Sequence, residues 1–344
     1  MKKNISAQAV FRRGILIFCT AVSCALFASC AGRGIEENYI NRRFLPDGYV
    51  PGAPKTVSAT DRNISVILFS RGFAQGDAVY AEVTGPVQTL RAASVSFNGR
   101  MVPVVERIWG YRALFSIPPE MKEGTSAVTV RCETGSGQVK IDVPVTVASG
   151  NFLVEKTPLD LGSYSDNHKE IPKELQDFID KCTEMKQKAY AERISDRLSS
   201  NLAHPRDMHY LTSQFYSKRV YEQYNIVNGK RVRAGDKVKI HWGLDFRGDE
   251  GKPVYAMARA HVALSAKLYY EGNMIILDHG NGIFTYYMHM SERKVETGDE
   301  VIAGQQIGMV GSTGMSTGPH LHVSFFLNKE HADPLSLLCL PIRD

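Results

Sequence analysis

Three short segments toward the C-terminal end carry side chains able to hold and use a metal ion. The first is His241-Trp242-Gly243-Leu244-Asp245, which follows the alternating Val238-Lys239-Ile240. In an extended chain, residues two apart point to one side. His241, Gly243 and Asp245 are therefore expected on one face, with Gly243 leaving room for an ion. The second is His320-Leu321-His322-Val323-Ser324-Phe325, after the turn-rich run from Gly311 to Pro319. On a strand, His320 and His322 share a face and can converge on one centre. No Gly-Lys-Ser/Thr follows that glycine-rich run, so it reads as a tight loop bordering a groove and not as a phosphate cradle. The third is Phe284-Thr285-Tyr286-Tyr287-Met288-His289-Met290, with Thr285, Tyr287 and His289 expected on one face. Each segment alone has an ordinary reading: a chance spacing, a surface histidine pair, a core histidine. Together they form a donor set. Catalytic zinc usually takes three nitrogen or oxygen ligands from protein and keeps water in the fourth position, as a His, an Asp and a second His would allow. The ion brings the pKa of its water to about 7. Spare histidines beside it can move protons and stabilise a tetrahedral oxyanion. No Ser or Cys nucleophile has a convincing base partner.

These segments also occur in a telling order. His241-Trp242-Gly243-Leu244-Asp245, Tyr287-Met288-His289, Val295-Glu296-Thr297-Gly298-Asp299, Gly304-Gln305-Gln306-Ile307-Gly308 and Gly318-Pro319-His320-Leu321-His322 together resemble the LytM/lysostaphin-type peptidases. Upstream, Ser213-Gln214-Phe215 and Arg219 resemble the usual start of that domain, so the resemblance spans about residues 205 to 338. It implies a compact antiparallel β fold with a long groove crossing a zinc site. It also implies that His241, Asp245 and His322 are the zinc ligands, and that His289 and His320 are the catalytic histidines that bind no metal. The activity implied is hydrolysis of the peptide cross-links of peptidoglycan by a metal-bound water. Three positions depart from the pattern: Met290 for a usual Leu, Ala260-His261 where a Gly often precedes Val262, and Ser324 where an acidic residue is frequent. They bear on groove shape and substrate preference and remove no ligand.

Other functions fit these residues less well. Some relatives have lost ligands and act as scaffolds that activate other wall hydrolases; here all five side chains are present. Iron oxygenases also use two histidines and a carboxylate, but need further open positions and commonly pair His and Asp closer together. A lipoyl- or biotinyl-like carrier would carry a Lys at the tip of a hairpin such as Val295–Gly308, and none is there. His279 reads as a turn residue. His168, His204, His209, His261 and His331 have no competing partner spacing.

The elements that must position these groups are mainly β. Residues 205–344 alternate short apolar runs with turns such as Gly298-Asp299, Gly304-Gln305 and Gly311-Ser312. Residues 156–204 read as a helical linker, with Leu175, Phe178, Ile179, Cys182, Met185, Ala189, Ile194 and Leu198 on one stripe. Residues 59–155 contain strand-like runs such as Val139, Ile141, Val143, Val145 and Val147, plus the hairpin signal Asn98-Gly99, and read as an Ig-like β-sandwich. Residues 33–58, rich in Gly and Pro, read as a tether.

Residues 1–32 read as an export leader: Lys2, Lys3, Arg12 and Arg13 precede an uncharged stretch from Gly14 to Gly32. Leu26-Phe27-Ala28-Ser29-Cys30 resembles the lipobox of bacterial lipoproteins, which makes Cys30 the acylated residue and places the chain at the cell envelope, held to the membrane. An uncleaved apolar anchor and plain secretion are the other two readings. Without the four leader cations the chain holds 37 basic and 36 acidic residues. No basic cluster suits nucleic acid. The expected partners are peptidoglycan stem peptides and the membrane. Cys132, Cys182 and Cys339 form no CxxC pair and read as small buried hydrophobes.

Overall fold

The computed structural model describes residues 45–86, 88–167, 171–192 and 194–344. The leader with Cys30, the first part of the tether and His168 lie outside the described residues. The N-terminal strands are β1 (Lys55–Asp61), β2 (Ile64–Ser70), β3 (Ala78–Thr84), β4 (Leu90–Phe97), β5 (Arg100–Val102), β6 (Val104–Arg107), β7 (Gly110–Ser116), β8 (Gly124–Thr134) and β9 (Gly137–Val147). They form two antiparallel sheets of order β1-β2-β3-β7-β6 and β5-β4-β8-β9. Period-two alternation drives their packing. Val139, Ile141, Val143, Val145 and Val147 all point inward to meet Val66, Leu68 and Val79 of the other sheet in one core. Asn98 and Gly99 take φ of 49° and 73° to close the β4–β5 hairpin.

The remaining elements begin with β10 (Asp166–Asn167), helix α1 (Lys173–Ala191), β11 (Leu211–Ser213), β12 (Lys218–Val227) and β13 (Lys230–Ile240). They continue with β14 (Leu244–Arg247), β15 (Pro253–Tyr255), β16 (Ala260–Leu268), β17 (Gly272–Asp278) and β18 (Ile283–Met290). Last come β19 (Glu292–Arg293), β20 (Glu300–Val301), β21 (Gln306–Met309), β22 (His320–Leu327), β23 (Glu330–Ala332) and α2 (Pro334–Leu337). The main sheet runs β11-β14-β22-β18-β17-β16-β20, with β23 added to β22. One of its faces packs Leu321, Val323, Phe325 and Leu327 with Leu244, Phe246, Ile275 and Tyr287. The other face is divided between α1 and an open cleft. Both halves of the chain are thus mainly β, as expected.

Cys182 and Ala189 of α1 are buried against Leu264, Met274, Ile276, Phe284 and Tyr286. Ile194 and Leu198, expected on the same helical stripe, lie beyond the helix. Glu192 turns to ψ 138°, and Leu198 joins the core of the opposite face. Ahead of α1, residues 153–167 run beside β12 through parallel bridges at Val154–Lys218 and Leu159–Tyr221 and through β10. The outer face of the first sandwich sheet continues into the main core: Phe69, Tyr80 and Leu114 pack with Leu335 and Leu337, and Ala78 N–H donates to Ser336 Oγ at 2.9 Å. Tyr49, in the stretch read as a tether, stacks on His209 with ring centroids 4.2 Å apart. Cys132, Cys182 and Cys339 are free and buried. No helix among the described residues is long and apolar enough to cross a membrane.

Candidate active site

The register of β14, β22 and β18 assembles the site. Asp245 pairs with His322 across β14–β22, and Met288 pairs with His322 across β18–β22. On β22 the alternation holds: His320, His322, Ser324 and Phe326 line the cleft, while Leu321, Val323, Phe325 and Leu327 enter the core. The other two segments differ from expectation. His241 and Asp245 do not share a strand, because β13 ends at Ile240, the chain bends at Gly243, and β14 starts at Leu244. Gly243 makes room for protein and not for an ion. A Cβ there would lie 2.6 Å from His322 Nε2 and 2.7 Å from its Cε1, and would strike the carbonyl oxygen of Val323. His289 does not face the same way as Thr285 and Tyr287, which point into the protein interior. Between the pairs Asn273–Met290 and Ile275–Tyr287, β18 carries one residue more than β17, and His289 takes φ 64°. This bulge turns the ring into the cleft beside Met288.

Three ligand atoms meet at the floor of the cleft. His241 Nε2 lies 3.1 Å from Asp245 Oδ1 and 2.9 Å from His322 Nδ1, and the last two are 2.9 Å apart. The described residues offer one cluster of this kind, buried at all three positions. His241 Nδ1 can only donate to the carbonyl oxygen of Gln214, 3.0 Å away, so in the neutral ring Nε2 is a lone pair. Three acceptors therefore share at most the single proton that His322 could supply, an arrangement that a cation relieves. Two imidazoles and a carboxylate fit a divalent ion of the zinc type. Outer contacts fix the donors: His322 Nε2 meets Ser324 Oγ at 2.8 Å, and Asp245 Oδ2 accepts from Arg219. Glu155 accepts from Ser213 Oγ at 2.6 Å and faces Arg219 at 3.5 Å, so the segment ahead of α1 closes this charge network.

His320 and His289 flank the ligand cluster. His320 Nδ1 donates to Gly318 O at 2.8 Å, and its Nε2 lies 3.7 Å from Asp245 Oδ1. His289 Nδ1 donates to Thr313 O at 2.8 Å. Because a carbonyl can only accept, both rings carry a proton on Nδ1, and Nε2 is the lone pair of the neutral tautomer. Their centroids are 4.9 Å apart. Burial, then the charges of His320 and His322, push the His289 pKa down to about 3. The site can thus hold an ion on three ligands with two further imidazoles beside it.

The cleft has a volume of about 880 Å³ and extends from Trp242 and His331 to Tyr190, Tyr286 and Met288. His331, set aside in the sequence, belongs to its rim and packs on Trp242 with centroids 4.9 Å apart. His279 opens the turn between β17 and β18, as expected, where its N–H donates to Ile283 O at 2.8 Å. It is fully buried, bonded to Arg259 O at 2.8 Å and Thr285 Oγ1 at 2.9 Å. Glu155, Lys186 and Glu271 also line the cleft, and no motif signals them.

Residues 239–334 match peptidase family M23. Over 133 residues the chain is 35% identical to the peptidoglycan DD-endopeptidase ShyC of Vibrio cholerae, covering 39% of this chain and 28% of that protein. Over 105 residues it is 42% identical to lysostaphin of Staphylococcus staphylolyticus, covering 29% of this chain and 22% of that protein. The chain thus spans under a third of the length of these relatives. A solved peptidase M23 structure from Pseudomonas aeruginosa shares the fold at a TM-score of 0.51, with 24% identity over 78% of this chain and 96% of that one. Over residues 239–334 the chain thus carries the match to peptidase family M23, which supports the resemblance to the LytM/lysostaphin-type peptidases.

Proposed function

We propose that this chain is a zinc-dependent endopeptidase that hydrolyses peptide cross-links of peptidoglycan at the cell envelope. The observation that carries this reading is the convergence of His241 Nε2, Asp245 Oδ1 and His322 Nδ1, at 2.9–3.1 Å, beside two histidines whose Nδ1 atoms are tied to backbone carbonyls. Zinc held by those three would supply an acidified water and polarise the scissile carbonyl. The chain's own residues do the rest. His289 or His320 accepts the proton of the attacking water at Nε2 and returns it to the departing amine. The second histidine, when it is protonated at Nε2 as well, donates from there toward the oxyanion. Ser324 and Gln214 hold the ligand rings in place, and Trp242 and Tyr190 wall the cleft along which an extended peptide lies. The relatives named as DD-endopeptidases support peptidoglycan as the substrate. The leader, with Cys30 as the acylated residue, supports an exported, membrane-held protein.

The test is digestion of cell walls of defined cross-link chemistry, with fragments identified by mass. The expected result is cleavage of direct cross-links between stem peptides. A folded, zinc-loaded chain that cuts neither direct cross-links nor glycine bridges would favour the scaffold role instead.

A further inference from the structure

Lys186 of α1 and Glu271, the residue before β17, form an ion pair in the wall of the cleft, with side chains 24% and 14% exposed. Lys186 lies well outside the residues that match the peptidase family. Glu271 is tied to the chemistry through its main chain, because its carbonyl oxygen accepts the His289 N–H at 2.9 Å. That bond, together with the one from Nδ1 to Thr313 O, holds His289 in its left-handed backbone conformation with its ring in the cleft.

The two supporting loops are fastened to one another. Met315 N–H donates to Tyr270 O at 2.7 Å, and Asn273 N–H donates to Thr313 Oγ1 at 2.9 Å. Gly272 and Gly314, at φ 64° and 73°, pack where any Cβ would strike the facing backbone. On the other side, the segment from residue 156 to α1 grips the same loop. The Tyr164 hydroxyl donates to Tyr269 O at 3.2 Å, and Phe178 meets the Tyr269 ring edge-on at 6.3 Å. Tyr269 is thus held from the α1 side, Tyr270 from the Met315 side, and Glu271 from both, its charged contact being Lys186.

We infer that Lys186 is a positioning residue for the hydrolysis: through Glu271 it sets where the His289 ring stands, which makes α1 part of the active site. The inference rests on the peptidase reading above. A base displaced by about 1 Å can cost a reaction about 100-fold, and the whole acid–base contribution is about 10²–10⁴-fold.

The experiment compares the full chain with Lys186→Met and Lys186→Arg on a soluble cross-linked murein peptide, reading kcat, KM, zinc content and melting temperature. Lys186→Met should lose about tenfold or more in kcat, with KM within about twofold and one zinc retained. Lys186→Arg should recover most of that loss, because it keeps the charge. An unchanged kcat in Lys186→Met, a change in KM alone, or no recovery in Lys186→Arg would overturn the inference. If the unaltered chain cuts no murein, the peptidase reading falls by itself. The coupling is then read from the His289 Nδ1–H proton resonance, which should move in Lys186→Met and would refute the coupling by staying in place.

Discussion

Replacing Gly243 by alanine adds a single methyl group at the most confined point of the site, and the structure sets its cost. The new Cβ would sit 2.6 Å from His322 Nε2, where ordinary contact begins near 3.4 Å. The ring must therefore retreat by roughly 0.8 Å, whereas metal–ligand distances tolerate about ±0.2 Å. The Val323 carbonyl oxygen, also struck, is held in the β14–β22 ladder by the Leu244–Val323 pairing and cannot yield without opening it. Two effects on stability oppose each other. Alanine restricts the unfolded chain and would add about 0.4–1 kcal/mol where it fits. Forcing a methyl into a filled space costs about 1–3 kcal/mol. Gly243 is not among the residues with positive φ, so the clash decides the sign. Gly243→Ala should be destabilised by about 1–2 kcal/mol as the metal-free protein. It should also lose at least about 100-fold in zinc affinity, since even outer-contact changes cost about 10–100-fold. Competition against a chelating dye and a denaturant titration of the metal-free form read the two quantities. Wild-type affinity in Gly243→Ala would refute the claim that this glycine exists to seat His322.

Three further outcomes follow from the same geometry. His322→Ala should lose zinc and activity together, while His289→Ala and His320→Ala keep one zinc and lose about 10²–10⁴ in kcat; metal analysis beside kinetics separates the classes. Ser324→Ala removes the partner of His322 Nε2 and should weaken zinc binding by about 10–100-fold with the fold intact, which a zinc titration with circular dichroism would check. His204 and His279 have pKa values pushed down to about 4 by burial, below the unfolded value of about 6.5. The unfolded chain then binds more protons between those values, so stability present above pH 6.5 is lost as pH falls toward 4. A melting temperature constant from pH 7 to pH 4 would contradict this.

How far the site could be read from sequence varies residue by residue. His320 and His322 lie on a regular strand, where period two dictates which side chains share a face, and there the reading was right. His289 escaped it because a bulge resets the alternation, and nothing in Phe284–Met290 announces the extra residue. Spacing alone puts His241 and Asp245 on one strand, because the bend at Gly243 leaves no local signature beyond the glycine itself. The helical stripe runs past the helix end in sequence because Ile194 and Leu198 fit the spacing, although the chain turns extended at Glu192. Glu155 and Lys186 reach the cleft only through tertiary packing of the segment ahead of β11, which spacing within one segment cannot reveal. The alternation of β9 and the Asn98-Gly99 turn, by contrast, depend on neighbours in sequence and were legible.

Anomalous diffraction at the zinc edge, from crystals of the zinc-loaded chain, tests the metal centre most directly. The expected result is a single ion about 2.0–2.2 Å from His241 Nε2, Asp245 Oδ1 and His322 Nδ1, with solvent in its fourth position. An ion held by His320 in place of His322, or a protein atom filling the fourth position, would contradict the account.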